Sequence, residues 1–186
     1  MRMLRFAAAA ALGLFFAVAA TADELPGPSM TGHFALHTVD GRDVSDGSFR
    51  GKWMLIYFGY TYCPDVCPTT LNEIGVALNE IGPLAKKIQP IFVTIDPARD
   101  GAAVLKKYLA SFDPRIMGLR GDGEETEAAA KAFHVYYRPR ALGHGQYTYD
   151  HSGFLYLIDP KGKFVALITA NVPGHQMAQE LKKDVK

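Results

Sequence analysis

Apolar positions along the chain fall into two kinds of run, and the difference sorts strands from helices. Trp53-Met-Leu-Ile-Tyr-Phe58 and Ile91-Phe-Val-Thr-Ile95 are short and almost unbroken, as in strands buried on both faces. Leu71, Ile74, Leu78 and Ile81 recur at helical spacing and predict a helix from about Val66 to Ile81. Leu105, Tyr108, Leu109 and Phe112 share one face of a second helix, with Asp100 placed to cap it. Ile116 to Leu119 reads as a short strand. Glu124, Glu125 and Glu127 then open a helix running towards Phe133, where the macrodipole favours acids. Upstream, Phe34–Thr38 and Asp43–Ser45 flank Asp40-Gly41-Arg42 as a short hairpin. Downstream, Phe154–Ile158 and Phe164–Ile168 flank Asp159-Pro-Lys-Gly162, a turn signal, and Met177 and Leu181 mark a closing helix.

The order is hairpin, strand–helix–strand–helix, antiparallel hairpin, closing helix. Strands alternating with helices predict an α/β domain whose central sheet contains parallel strands sandwiched by helices. Adding the antiparallel hairpins makes that sheet mixed. A hairpin following a βαβ unit is the plan of thioredoxin-like domains, although periodicity alone reaches only α/β.

The N-terminus follows a different pattern. Arg2 and Arg5 precede an apolar run from Phe6 to Ala20, and Ala20-Thr21-Ala22 offers a small-x-small cleavage site. Residues 1–22 therefore read as a secretory signal peptide or an uncleaved membrane anchor. Either reading puts the folded part outside the cytoplasm, in a bacterial periplasm. Residues 23–31, with Pro26, Gly27, Pro28 and Ser29, read as a polar tether. Residues 32–186 form one domain with enough chain for a full core.

Composition narrows the chemistry. The 186 residues are 48% hydrophobic and 21% charged, with a formal charge of +1, so no strong field is available for a nucleic acid backbone. Two cysteines are too few for a disulfide scaffold or a four-thiolate metal site. They suffice for one redox pair, or for part of one metal site.

Those cysteines lie in Gly59-Tyr-Thr-Tyr-Cys63-Pro-Asp-Val-Cys67-Pro68, where a buried strand passes into a helix. In open α/β sheets that carboxyl edge is where ligands bind. A thiol at a helix N-terminus is favoured as thiolate, which is both nucleophile and soft metal ligand. Cys63 and Cys67 are four apart, so both sulfurs project from one face if the first turn is helical. The same closeness permits a disulfide. A structural staple across so short a separation gains little entropy, which favours a functional pair.

A two-thiolate site wants a third ligand. His151, in Tyr149-Asp-His-Ser-Gly153, follows a flexible Gly143-His-Gly145 loop, and Asp150 beside it is a candidate to orient the ring. His33 and His37 lie away from any cysteine, while His134 and His175 read as structural or solvated. Spacing leaves His151 and His144 as close competitors. Two thiolates and one imidazole suit Cu(I), and an added ligand in a tetragonal arrangement would hold Cu(II). A three-ligand site on an exposed loop also leaves an approach for a partner's ligand, which suits delivery by ligand exchange.

Cys63-Pro-Asp-Val-Cys67-Pro68, the downstream Ile95-Asp-Pro-Ala-Arg-Asp100, and Asp150-His-Ser152 resemble the Sco/SenC family in order and approximate spacing. The similarity runs from about Phe34 to Leu181. It implies a thioredoxin-like copper chaperone that serves the binuclear copper centre of cytochrome c oxidase, in subunit II. It also implies that Cys63, Cys67 and His151 are the copper ligands, which separates His151 from His144. Tyr62 departs from the pattern, since many relatives carry His there. An N-terminal membrane anchor is common in the family, and other periplasmic copper chaperones and thiol reductases are expected partners. Asp96 and Asp100 are expected either to act on the site electrostatically or to serve as strand exit and helix cap.

Two other functions use the same residues. A thiol–disulfide oxidoreductase would use Cys63 and Cys67 as its redox-active pair. Against it, three residues rather than two separate the cysteines, and no proline lies immediately before Phe154, where thioredoxin-like enzymes keep a cis-proline that binds substrate. A cysteine peroxidase would need Arg99 or Arg138 to fold inward to the thiolate.

Overall fold

The computed structural model describes Met30 and residues 32–186. The leader reading of 1–22, and the tether of 23–31 apart from Met30, lie outside the described residues. β1 (Ala35–Thr38) and β2 (Asp43–Ser45) form the expected hairpin. β3 (Trp53–Gly59), α1 (Val66–Glu80), β4 (Ile88–Thr94), α2 (Ala102–Leu109) and β5 (Met117–Arg120) then alternate, and α3 (Gly123–Ala132) follows. Next come β6 (Tyr137–Gly143), β7 (Gln146–His151), β8 (Phe154–Ile158), β9 (Phe164–Thr169) and α4 (Gly174–Asp184).

Seven strands build one sheet in the order β2-β1-β5-β4-β3-β8-β9. β3, β4 and β5 run parallel, and β1 and β8 join them antiparallel, so the sheet is mixed as expected of a thioredoxin-like domain. The unbroken apolar runs sit at its centre. Leu55, Ile56, Tyr57 and Phe92 are fully buried. Phe58 packs against Phe133 and Tyr156 with ring centroids 5.4 and 5.8 Å apart, which seats the end of α3 on one face of the sheet. Tyr57 and Phe92 pair in register across β3 and β4, and Phe92 meets Tyr108 of α2. β4 starts earlier than its apolar run suggests and includes Pro90. Pairing with β5 begins only at Ile91, so the proline precedes the second partner strand.

Two expectations need correction. Residues 143–145 are no free loop but the tip of a second sheet, the hairpin of β6 and β7, whose strands pair with each other and not with the main sheet. Asp100 does not cap α2. That helix starts from Gly101 without a side-chain cap, while the Asp100 carboxylate is fully buried. Burial raises its carboxyl above the usual range, although Thr61 and Thr94 donate to it.

Candidate metal centre

β3 runs straight to the site. Gly59 ends the strand, Tyr60 to Asp65 form the cysteine loop, and α1 begins at Val66. Cys63 therefore lies ahead of the helix and Cys67 inside its first turn, which differs from a shared helical face. They meet because Cys63 Sγ accepts the backbone N–H of Cys67 at 3.3 Å. Asp65, at the N-cap, makes no side-chain cap bond, so the Cys63 sulfur supplies an acceptor for a free amide of the first turn. Asp100 holds the loop from beneath. Its Oδ2 accepts Thr61 N–H at 2.9 Å and Thr94 Oγ1–H at 2.6 Å, and its Oδ1 accepts Thr61 Oγ1–H at 2.6 Å.

The two sulfurs differ in environment. Cys67 is fully buried, and Tyr57 Oη donates towards its Sγ at 3.6 Å. Cys63 is half-buried at the surface of the loop. Hydrogen bonding from the Cys67 thiol pulls the Cys63 thiol well below its ordinary range. Burial opposes this, while the N–H groups of Cys67 and Asp65 add to it. The Cys67 thiol is pushed up by its bond to Cys63 and by burial. The environment thus favours the thiolate at the more accessible Cys63 and the thiol at the buried Cys67.

His151 arrives from the other side, at the end of β7, with Nε2 3.8 Å from Cys67 Sγ. Its Nδ1 lies 3.0 Å from the carbonyl oxygen of Ser152. A carbonyl only accepts, so Nδ1 carries a proton, and in the neutral ring Nε2 presents its lone pair to the sulfurs. This corrects the expected role of Asp150, which is exposed and faces Arg140 across the hairpin at 3.4 Å. Edge-on packing of the His151 ring on Tyr60, centroids 5.9 Å apart, and contact with Tyr57 complete its seat.

Cys63, Cys67 and His151 thus each aim one donor atom at a common point, all within 4.8 Å of one another. Among the described residues no other group of His, Cys, Asp or Glu does so. His144 sits at the hairpin tip with positive φ, at the far end of β6–β7 from His151. His37 is held by Asp43 and Glu125, and His33 by Asp46. Arg99 does not reach the cysteines, because Asp96 holds its Nε; Arg138 lies exposed on β6. Cys63 and His151 open into a cleft of about 410 Å³ lined also by Tyr60, Pro64, Gly153 and Asn171, with Cys67 buried behind them. A larger cavity of about 770 Å³ lies at the opposite ends of β3 and β4, near Lys52 and Ile88, remote from all three.

Sequence reasoning missed Tyr57, Tyr60 and the tyrosines of β7 as parts of this site. The signal was present: Tyr147, Tyr149 and His151 alternate along β7, which turns them to one side.

Comparison with known proteins bears on both fold and site. The SCO1/SenC family model matches residues 22–186. Mitochondrial SCO1 of Saccharomyces cerevisiae is 40% identical over 162 residues, covering 86% of this chain and 55% of that protein. Protein sco1 of Schizosaccharomyces pombe is 38% identical over 158 residues, covering 83% and 60%. The chain therefore spans little more than half the length of these two relatives. Bradyrhizobium japonicum ScoI with copper bound superposes with a TM-score of 0.75 at 42% identity, over 82% of this chain and 98% of that one. Yeast Sco1 with copper bound gives 0.78 at 40% identity, over 85% and 89%. The match runs through the cysteine loop, the hairpin that delivers His151 and the closing helix, and on that ground the chain belongs to the SCO1/SenC family.

Proposed function

We propose that this protein is a copper metallochaperone that binds copper through Cys63 Sγ, Cys67 Sγ and His151 Nε2. In this reading copper is cargo, passed by ligand exchange to the binuclear copper site of cytochrome c oxidase subunit II. The observation that carries it is the convergence of two sulfurs and one imidazole nitrogen within 4.8 Å, supplied by two separate elements. That donor set suits Cu(I), and a fourth ligand from solvent or partner would hold Cu(II). A structural zinc would want four protein ligands. The copper-bound Sco structures that share this fold at 40–42% identity support the choice of metal. The leader pattern of residues 1–22 supports a periplasmic location, soluble or tethered to the inner membrane. Other periplasmic copper chaperones and thiol reductases would load and reduce the site.

The test is Cu(I) titration of the reduced protein against a colorimetric chelator, with His151→Ala and the two-cysteine variant alongside. One tightly held Cu(I) per chain, weakened by His151→Ala and abolished without the cysteines, is the expected result. Unchanged affinity in His151→Ala overturns the three-ligand site. Failure of the loaded protein to pass copper to a soluble oxidase copper domain overturns the delivery role. Both cysteines are free thiols placed to close a disulfide, which favours thiol–disulfide exchange as a second reading. Rapid turnover on a protein disulfide, with no copper affinity, would select it.

A further inference from the structure

The two halves of the site belong to pieces of structure that do not share a sheet. The cysteines follow from β3 of the main sheet, whereas His151 ends a two-stranded hairpin that makes no strand pairing with it. The separation of imidazole and sulfurs therefore depends on the short junction from His151 to β8 and on what fastens the hairpin to the body. Among the described residues, the side-chain hydrogen bonds between residues 137–150 and the rest of the domain run through Tyr60, Asp96 and Arg99 alone. Tyr60 lines the site itself. Asp96 and Arg99 stand outside it.

We propose that Arg99, held by Asp96 between Tyr62 and Tyr147, is a positioning residue that sets the reach of His151 to the cysteine pair. Asp96 is fully buried, accepts Arg99 Nε–H on Oδ2, and accepts the Tyr147 hydroxyl on Oδ1 at 2.9 Å. Arg99 Nη1 donates to the Tyr147 carbonyl at 2.9 Å, which grips the backbone of β7 four residues before His151. The guanidinium carbon lies 3.6 Å from the centre of the Tyr147 ring and 4.7 Å from that of Tyr62, the residue before Cys63. Nη2 is buried without a hydrogen-bond partner, so that side of the group is held by the rings. One cation thus touches the hairpin on one side and the cysteine loop on the other, without touching a donor atom. A rigid planar fork fits this duty and an ammonium does not.

This inference rests on the three-ligand reading, and the experiment separates the two. Cu(I) affinity is measured by chelator competition for Arg99→Lys and Tyr147→Phe, each in the native and the His151→Ala background. Tyr147→Phe keeps the Arg99–Asp96 pair and the ring, so it tests the clasp without leaving a buried charge unpaired. Each substitution is expected to weaken Cu(I) binding about tenfold in the native background. In the His151→Ala background each is expected to change it by less than about twofold, because the effect travels through the imidazole. X-ray absorption of the Cu(I)-loaded variants should show the nitrogen contribution falling while both sulfurs stay. Equal losses in both backgrounds, or no loss in either, overturn the proposal and leave the three-ligand site standing. If His151→Ala alone leaves affinity unchanged, the three-ligand reading falls and this one with it.

Discussion

Gly59 is where strand, cysteine and core come closest, and its substitution is the sharpest test of the packing beneath the site. A Cβ added there would lie 2.8 Å from Cys67 Sγ and 2.8 Å from Phe92 Cε2. Ordinary carbon contacts are about 3.5–4.0 Å, so in Gly59→Ala each neighbour must retreat by about 1 Å. Neither moves freely. Phe92 is fully buried between Tyr57 and Tyr108, with centroids 6.0 Å away on both sides, and Cys67 is fixed in the first turn of α1. Overpacking of this kind costs about 1–3 kcal/mol, offset by about 0.4–1 kcal/mol from the stiffer unfolded chain. With the middle of each range the net loss is about 1.3 kcal/mol, or about 3–5 °C in Tm for a chain of this length. Thermal unfolding of the reduced, metal-free protein measures it. Because the thiol itself is displaced, Cu(I) affinity by chelator competition falls in the same variant. Unchanged or raised Tm together with unchanged affinity would refute the argument that glycine is required by the seat of Cys67.

Two further predictions address other parts of the molecule. Asp100→Ala leaves three donors without their acceptor, Thr61 N–H, Thr61 Oγ1–H and Thr94 Oγ1–H, so urea unfolding should show a loss of about 2–3 kcal/mol. A loss of only about 1 kcal/mol, the usual value for a missing helix cap, would restore the capping role instead. His37 donates from Nδ1 to Asp43 and from Nε2 to Glu125, at 2.8 and 3.2 Å, which only the charged ring can do at once. These bonds raise its pKa above 6.5, the Asp43 bond foremost. Its stabilising contribution is therefore complete below pH 6.5 and lost as pH rises through the higher folded value. The ring is 37% exposed, so the effect is small and falls with salt. An NMR titration of the His37 ring giving a midpoint at or below 6.5 would contradict this.

The elements of the main sheet were legible because their burial is written in the chain. β3 and β8 are continuous apolar runs, β4 is nearly so from Pro90 to Val93, and α1 repeats at helical spacing over a buried face. The β6–β7 hairpin was not legible as apolar runs are. β6 is exposed for most of its length and carries Pro139, so nothing in its composition announces a strand. Its pairing is decided by the opposite strand and by the tyrosine ties at β7. Asp100 was misjudged for a related reason. A carboxylate one residue from a helix start satisfies the local capping rule, and only the approach of Thr61 from a distant loop shows where its oxygens are used.

The candidate ligands divide in the same way. Cys63 and Cys67 were legible as a candidate pair in the sequence, since four residues at a strand-to-helix junction allow two sulfurs to meet, although the loop fold and the Cys67 N–H bond to Cys63 Sγ bring them together. His151 was not set by spacing, which over 84 residues leaves two histidines equal; only the motif resemblance singled it out in the sequence. Tertiary structure puts His144 at the tip and His151 at the root, beside the sulfurs, through the register of β6 on β7. It also decided the tautomer, through a carbonyl rather than the neighbouring acid. Local spacing is set by covalent geometry and can be read in one dimension. Which remote side chain completes the site depends on strand register and on buried polar contacts, and those exist only once the chain has folded.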